Sequence, residues 1–307
     1  MVDAFIPDAR VVHLPPALID TGLYADDNRD TLAAGVFEYT VNYPLWTDNA
    51  AKRRFISLPA GSEINAANVD FWRYPEGTKV WKEFSLGGSR LETRYLVKTG
   101  PFSADWRMVA YVWDAAETEA LITESGVDNV NGTDHDVPGI DDCQRCHLNR
   151  QDSLIGVSGV QLNHAQPGLN LASLISDSLI SDHVDAINFD LPGDADAVAA
   201  LGYIHGNCGG CHHDGSQVQE SVKLRFWLTA DSLTSVQDTT IYTSAVSEPL
   251  ALPFPGATSL IEPGMPSQSA VYLRMNQRTD GQMPPLGTEQ VDTAAVTAVE
   301  TWITSLP

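Results

Sequence analysis

The chain has 307 residues, 43 % hydrophobic and 19 % charged, which fits two or three compact soluble units and gives no sign of disorder or of a membrane span. Its net charge of −22 is unevenly spread: residues 1–107 carry 12 Lys/Arg against 14 Asp/Glu, whereas residues 108–307 carry 6 against 26. Such a field excludes nucleic acid and anionic membrane surfaces as partners and favours a basic one, although a solvated acidic surface that merely keeps an exported protein soluble has the same composition.

The start, Met1-Val2-Asp3, lacks the basic stretch and apolar core of a secretory signal, so Met1 reads as a trimmed boundary. Apolar runs are short and broken, as in Val11-Val12-His13-Leu14-Pro15-Pro16, well below the length that crosses a bilayer. Residues 36–125 are β-rich in pattern. Lys79–Leu86 and Arg90–Val97 flank Gly87-Gly88, a hairpin signal with aromatic and β-branched residues at alternate positions, and Trp106–Trp113 follows as a third strand. Phe37–Val41 and Arg54–Leu58 each run on toward a proline and fit edge or entry strands. Residues 1–130 are therefore expected to form one antiparallel β domain, a small sandwich or barrel.

From about 126 to 142 the chain turns to Gly, Asn and Asp and reads as a linker. Beyond it the pattern becomes helical. Asp194 to Asn207 carries Val198, Leu201 and Ile204 at helical spacing, and Asp292 is a plausible N-cap for a final helix with Val296, Val299, Trp302, Ile303 and Leu306 on one face. The expected class is α+β, an antiparallel β domain followed by a mainly α-helical region, with 131–200 and 201–307 each holding one of two cysteine motifs.

All four cysteines fall in two copies of one pattern, Cys143-Gln144-Arg145-Cys146-His147 and Cys208-Gly209-Gly210-Cys211-His212. This is the attachment signature of covalent haem. Two thiols three residues apart share one side of a helical turn and can form thioethers along one porphyrin edge, while the following histidine aims its imidazole at the iron. Structural zinc and disulfide exchange also use CxxC, but neither requires a histidine after the second cysteine both times. Two haem c groups are expected, bonded through Cys143, Cys146, Cys208 and Cys211, with His147 and His212 as proximal iron ligands.

The sixth ligands are less evenly marked. Met283 lies in the proline-stiffened loop Gly281–Gly287 just before the final helix and is the preferred distal ligand of the second haem, with Met265 its rival and Met275 a core residue. No methionine separates His147 from Cys208. His164 and His183 are the candidate ligands inside that interval, His164 is the preferred ligand of the first haem, and Met108 is the nearest methionine before it. An open first iron is the alternative. His205, three residues before Cys208, is expected to pack near the second haem.

Residues 200–307 resemble a class I cytochrome c domain, in which a helix leads into CxxCH, a methionine loop supplies the sixth ligand and a C-terminal helix packs back on the first. From about residue 36 onward the chain is also similar to a family of bacterial exported c-type haem proteins. The matching stretches are Tyr43–Arg54, Leu58–Gly61, Tyr74–Phe84, Leu91–Arg94, Gln161–Asn163 and Asn207–His212. The resemblance implies a β domain joined to a diheme portion and a location outside the cytoplasm, and it brings no substrate. Tyr43–Asp48 with Lys52-Arg53-Arg54 reads either as a surface that pairs haem propionates with cations or as an anchored segment with solvated charges; Lys82 and Arg94 pose the same choice. Three functions are expected in competition. They are single-electron transfer, a peroxidase-like oxidoreductase with an exchangeable ligand at the first haem, and a polymer- or partner-binding β domain supplied with electrons, whose face would come from Trp46, Trp72, Trp81, Trp106 and Trp113.

Overall fold

A computed structural model gives the structure of the chain and describes residues 14–27, 29–148, 152, 154–181, 184–216, 218 and 222–307. Strands β1 (Val36–Tyr39), β2 (Ala51–Ser57), β3 (Ile64–Asn65), β4 (Lys79–Leu86), β5 (Ser89–Lys98), β6 (Trp106–Trp113), β7 (Ala120–Thr123) and β8 (Ile180–Ser181) are interleaved with helices α1 (Ile140–His147), α2 (Gly159–Leu162), α3 (Leu171–Ser176), α4 (Ala195–Asn207), α5 (Thr240–Ala245), α6 (Ala270–Met275) and α7 (Thr293–Ser305). Six strands form one antiparallel sheet in the order β1-β2-β4-β5-β6-β7, and the short β3 and β8 pair in parallel beside it.

The hairpin at Gly87-Gly88 forms as its sequence dictates. Both glycines take positive φ, 60° and 92°, the backbone that a two-residue turn between twisted strands demands. Alternation along each strand then divides the side chains between two faces. Phe55, Trp81, Tyr95, Val109, Tyr111 and Trp113 point to one side and bury themselves with Leu18, Leu23 and Tyr24 of the N-terminal segment. Ile56, Val80, Leu96, Trp106 and Met108 point to the other, in a cluster that continues without a break through Leu162, Leu201, Ile204, Val299 and Trp302 to Leu306.

The expected mainly α-helical region is not what forms. The fold is mixed, built on the six-stranded sheet, with only 27 % helix. Among the described residues after 130, only α4 and α7 reach 13 residues. Seven prolines between 249 and 285 explain much of the difference, because each removes a backbone donor and obstructs the preceding turn. The chain there is held by turns and 3-10 segments such as Val236–Asp238 and Pro266–Gln268.

The two long helices have the faces their sequences imply. Asp292 caps α7 by accepting from Ala295 N at 3.0 Å, and Val296, Val299, Trp302 and Ile303 are buried. Asp194 caps α4 in the same way through Ala197 N at 2.9 Å, and α4 packs against α7. The stretch read as a linker is folded onto the sheet: Val127 bridges Val137, and Val130 and Val137 join Leu91 and Ala110 in a small cluster. Apolar residues spaced among the glycines suffice to anchor it.

Candidate haem-attachment sites

The first motif occupies the last two turns of α1, which lies against β6. Ile140 N donates to Glu124 O at 2.9 Å, and a Cβ at Gly139 would stand 3.0 Å from the Ser125 carbonyl carbon, so glycine permits the close crossing that begins the helix. Cys143 and Cys146 are half-buried over the sheet beside Arg94, and burial pushes the Cys143 thiol up to about 11 against the pull of that guanidinium. His147, at the end of α1, is half-buried. Past the motif, Asp152 is sunk into the sheet face, accepting from Tyr74 N at 2.7 Å and Trp106 Nε1 at 2.8 Å and pairing with Lys98.

The second motif begins where α4 ends. Cys208 N still donates to Ile204 O at 2.9 Å and His212 N to Cys208 O at 2.9 Å, so the helical course carries both cysteines and the histidine around one turn. A Cβ on Gly209 would lie 2.6 Å from His205 O and 2.8 Å from Phe226 O, which accounts for a glycine between the cysteines. His212 is buried against Phe226, with ring centroids 5.5 Å apart, and its Nδ1 finds no hydrogen-bond partner among the described residues. Burial, with His213 beside it, lowers its pKa to about 4 and keeps the imidazole neutral, the form that ligates iron. His205 is buried with its ring 4.3 Å from that of Trp227, and its Nδ1 accepts from Leu228 N at 3.0 Å.

The two motifs, 65 residues apart in sequence between Cys146 and Cys211, meet in space. The Cys146 thiol lies within hydrogen-bonding reach of Cys211, a contact that with Arg145 and Arg94 draws its pKa down to about 7 despite burial. No pattern within either motif signals this contact.

The distal candidates are scattered. Met283 is half-buried in a tied loop: its N donates to Arg274 O at 3.0 Å, Arg274 reaches Gly281 O at 2.8 Å, and Gln282 spans Pro284 O and Thr288 O. Gln282 and the residues after Met283, from Pro285 to Glu289, line a cavity of about 410 Å³ together with Thr47, Asp48, Arg94, His135, Asp136 and Arg278. Met265 is exposed, and Met275 and Met108 are core residues. His164 Nε2 lies 3.1 Å from Thr40 O and its Nδ1 accepts from Gln166 N at 3.2 Å, so both ring nitrogens are engaged. His183 lies outside the described residues.

Tyr43–Asp48 is a clamp between layers. Gly202 and Gly206 of α4 admit it: a Cβ at the first would stand 2.1 Å from the Tyr43 ring, at the second 2.3 Å from Tyr43 O. Gln161 exchanges two bonds with the Tyr43 backbone, Asn207 Oδ1 accepts from Trp46 N at 2.7 Å, and the Asp48 carboxylate takes Thr288 Oγ1, Glu289 N and Gln290 N. Tyr43–Trp46, Gln161 and Asn207 thus meet at the helix leading to Cys208. Of the expected aromatic face, Trp72, Trp81, Trp106 and Trp113 are buried in the cores, and Trp46 donates to Gln290 O.

Lys52-Arg53-Arg54 divides between the two sheet faces, as period-two alternation requires. Arg53 pairs with Glu38 on the outer side. Lys52 and Arg54 turn inward with Lys82 and Arg94, a juxtaposition that depends on strand register. Glu92 is fully buried there. Burial alone would raise its pKa, yet Arg94 and His135, at 2.6 and 2.8 Å, outweigh it and hold the carboxyl below its ordinary range.

Among the described residues no three or more His, Cys, Asp or Glu side chains gather into a group that could hold a bare metal ion, and no helix is long and apolar enough to cross a membrane. Comparisons with family models, with curated proteins and with solved structures find no match for the chain.

Proposed function

We propose that the protein is a diheme c-type cytochrome that passes single electrons between redox partners outside the cytoplasm. The observation that carries this reading is the meeting of Cys146 with Cys211. Thiols that serve two porphyrins at one point hold the two groups as neighbours, which is what internal electron exchange asks of a chain. The residues fit the group. Each motif follows a helical course, His212 keeps a buried, neutral ring, and the Arg94 guanidinium stands beside the first motif. Bound haem iron supplies a ferrous–ferric couple at each site. The chain's own part is to position the proximal imidazoles, to exclude water around His212, and to present an acidic surface to a basic partner.

Haem staining after denaturing electrophoresis, with intact mass, tests the proposal on protein matured with haem-attachment machinery. Two covalent haems should survive unfolding, and the double variant C208S/C211S should retain one. Colourless protein, or a mass lower by two hydrogens from a Cys146–Cys211 disulfide, would overturn it.

A second reading, a peroxidase-like oxidoreductase, draws on His164. With both ring nitrogens bonded to Thr40 and Gln166, that histidine is committed elsewhere, which favours an exchangeable position at the first iron. Cyanide binding and peroxide turnover would support this reading, and purely low-spin haem that does neither would remove it.

A further inference from the structure

Three cations stand side by side on the inner sheet face. Arg54 of β2 is in register with Lys82 of β4, and Lys82 with Arg94 of β5; Lys52, two residues before Arg54, points the same way. Neighbouring strands lie about 4.8 Å apart, so the row spans about 10 Å. Like charges directly opposite one another destabilise a sheet, and burial magnifies the effect.

The chain does little to relieve them. Glu92, the carboxylate bonded within this group, is already shared by Arg94 and His135, and Asp292 and Asp48 act through space on Lys52. Lys52 is spent on Leu45 O and Thr47 Oγ1. Arg54 is 8 % exposed, and neither it nor Lys82 has a hydrogen-bond or ion-pair partner among the described residues; Lys82 rests 5.0 Å over the Phe84 ring. Burial, then Arg54, Arg94 and Lys52, drive the Lys82 pKa well down. A protein of net charge −22 that retains such a row has a use for an anion it does not itself supply.

The row's position names the anion. It starts at Arg94, whose charge is felt by Cys143 and Cys146, and runs across β4 to β2, away from α1, which lies over β6 on the other side. We infer that Arg54, Lys82 and Arg94, with Lys52, seat the propionate carboxylates of the haem attached through Cys143 and Cys146. This rests on the diheme reading. Two carboxylates at the edge of the porphyrin remote from a thioether would complete the charge of the row; the cavity lined by Arg94, Arg278 and His135, which also carries Asp48, Asp136 and Glu289, meets the row at Arg94.

The test compares Lys82→Met in the full two-haem protein and in the C143S/C146S variant, which keeps the second haem. Removing one of several crowded cations should raise the urea midpoint when the first haem is missing and lower it when that haem is present. In the two-haem protein the substitution should also lower the reduction potential of one haem and leave the other unchanged. Midpoint shifts of the same sign in both backgrounds, or two unchanged potentials, would overturn the seat while leaving the haems in place. Absence of any covalent haem in the parent protein would instead bring down the diheme reading, and the seat with it. Arg54→Met, which also removes no hydrogen bond, repeats the comparison should the Lys82 variant fail to fold.

Discussion

Asp70 shows how one residue's surroundings become a measurable pH dependence. Its Oδ1 accepts from Ala230 N at 2.7 Å, but burial, aided by Asp231, raises its pKa to about 6. A carboxyl whose folded pKa exceeds its unfolded value binds its proton more tightly in the folded state, so ionisation penalises folding fully above pH 6 and ceases to do so as the pH falls toward 4. The penalty is on the order of 2 kcal/mol. Asp70→Asn keeps the acceptor and loses the charge. Urea melts should show it more stable than the parent at pH 7.5, with the gap closing at pH 4. Nothing local to Asp70 announces this, because the burying residues, Trp227 among them, come from far along the chain. The motif cysteines and histidines, by contrast, are legible as a pattern, since each motif is complete within five positions.

At the scale of elements, α4 is where pattern and context separate. The helix, its Asp194 cap and its buried Leu201 and Ile204 follow from spacing, while Gly202 and Gly206 look like defects, since glycine weakens a helix interior. They are explained by the Tyr43 segment crossing at contact distance. Gly202→Ala, which would strengthen an isolated helix, should therefore cost about 1–3 kcal/mol through overpacking against the Tyr43 ring, read as a lowered thermal midpoint. An unchanged or raised midpoint would contradict the crossing. The β4–β5 hairpin and α7 were legible for the opposite reason: turn glycines, alternation and the Asp292 cap are satisfied within each element. The helical content expected between them was overestimated because cytochrome-like order was allowed to outweigh the proline density of residues 249–285.

For the whole molecule the decisive quantity is charge distribution. Residues 108–307 carry 6 basic against 26 acidic side chains, and this stretch contains both motifs. On the diheme reading proposed above, electron exchange with a basic redox protein should slow as salt rises, with the second-order rate falling severalfold or more between about 10 and 150 mM ionic strength, where the screening length shrinks from about 30 to 8 Å. Stopped-flow reduction by a basic small cytochrome measures it. A rate indifferent to salt would mean that the acid serves solubility alone. The inner cations of β2, β4 and β5 do not contribute to such steering, because they are turned into the molecule.

By itself the amino-acid order determined the two CxxCH motifs, the β4–β5 hairpin, the caps of α4 and α7 and the acidic bias, since each depends on contiguous residues or on composition. Tertiary structure alone decided that Cys146 meets Cys211, that Tyr43–Asp48 clamps α4 to the sheet, that Arg53 parts from Lys52 and Arg54, and that Lys82 completes a row with Arg54 and Arg94. These depend on strand register and on helices crossing one another. Such contacts join residues tens to hundreds of positions apart, and the packing that selects them leaves no periodic trace in any one segment.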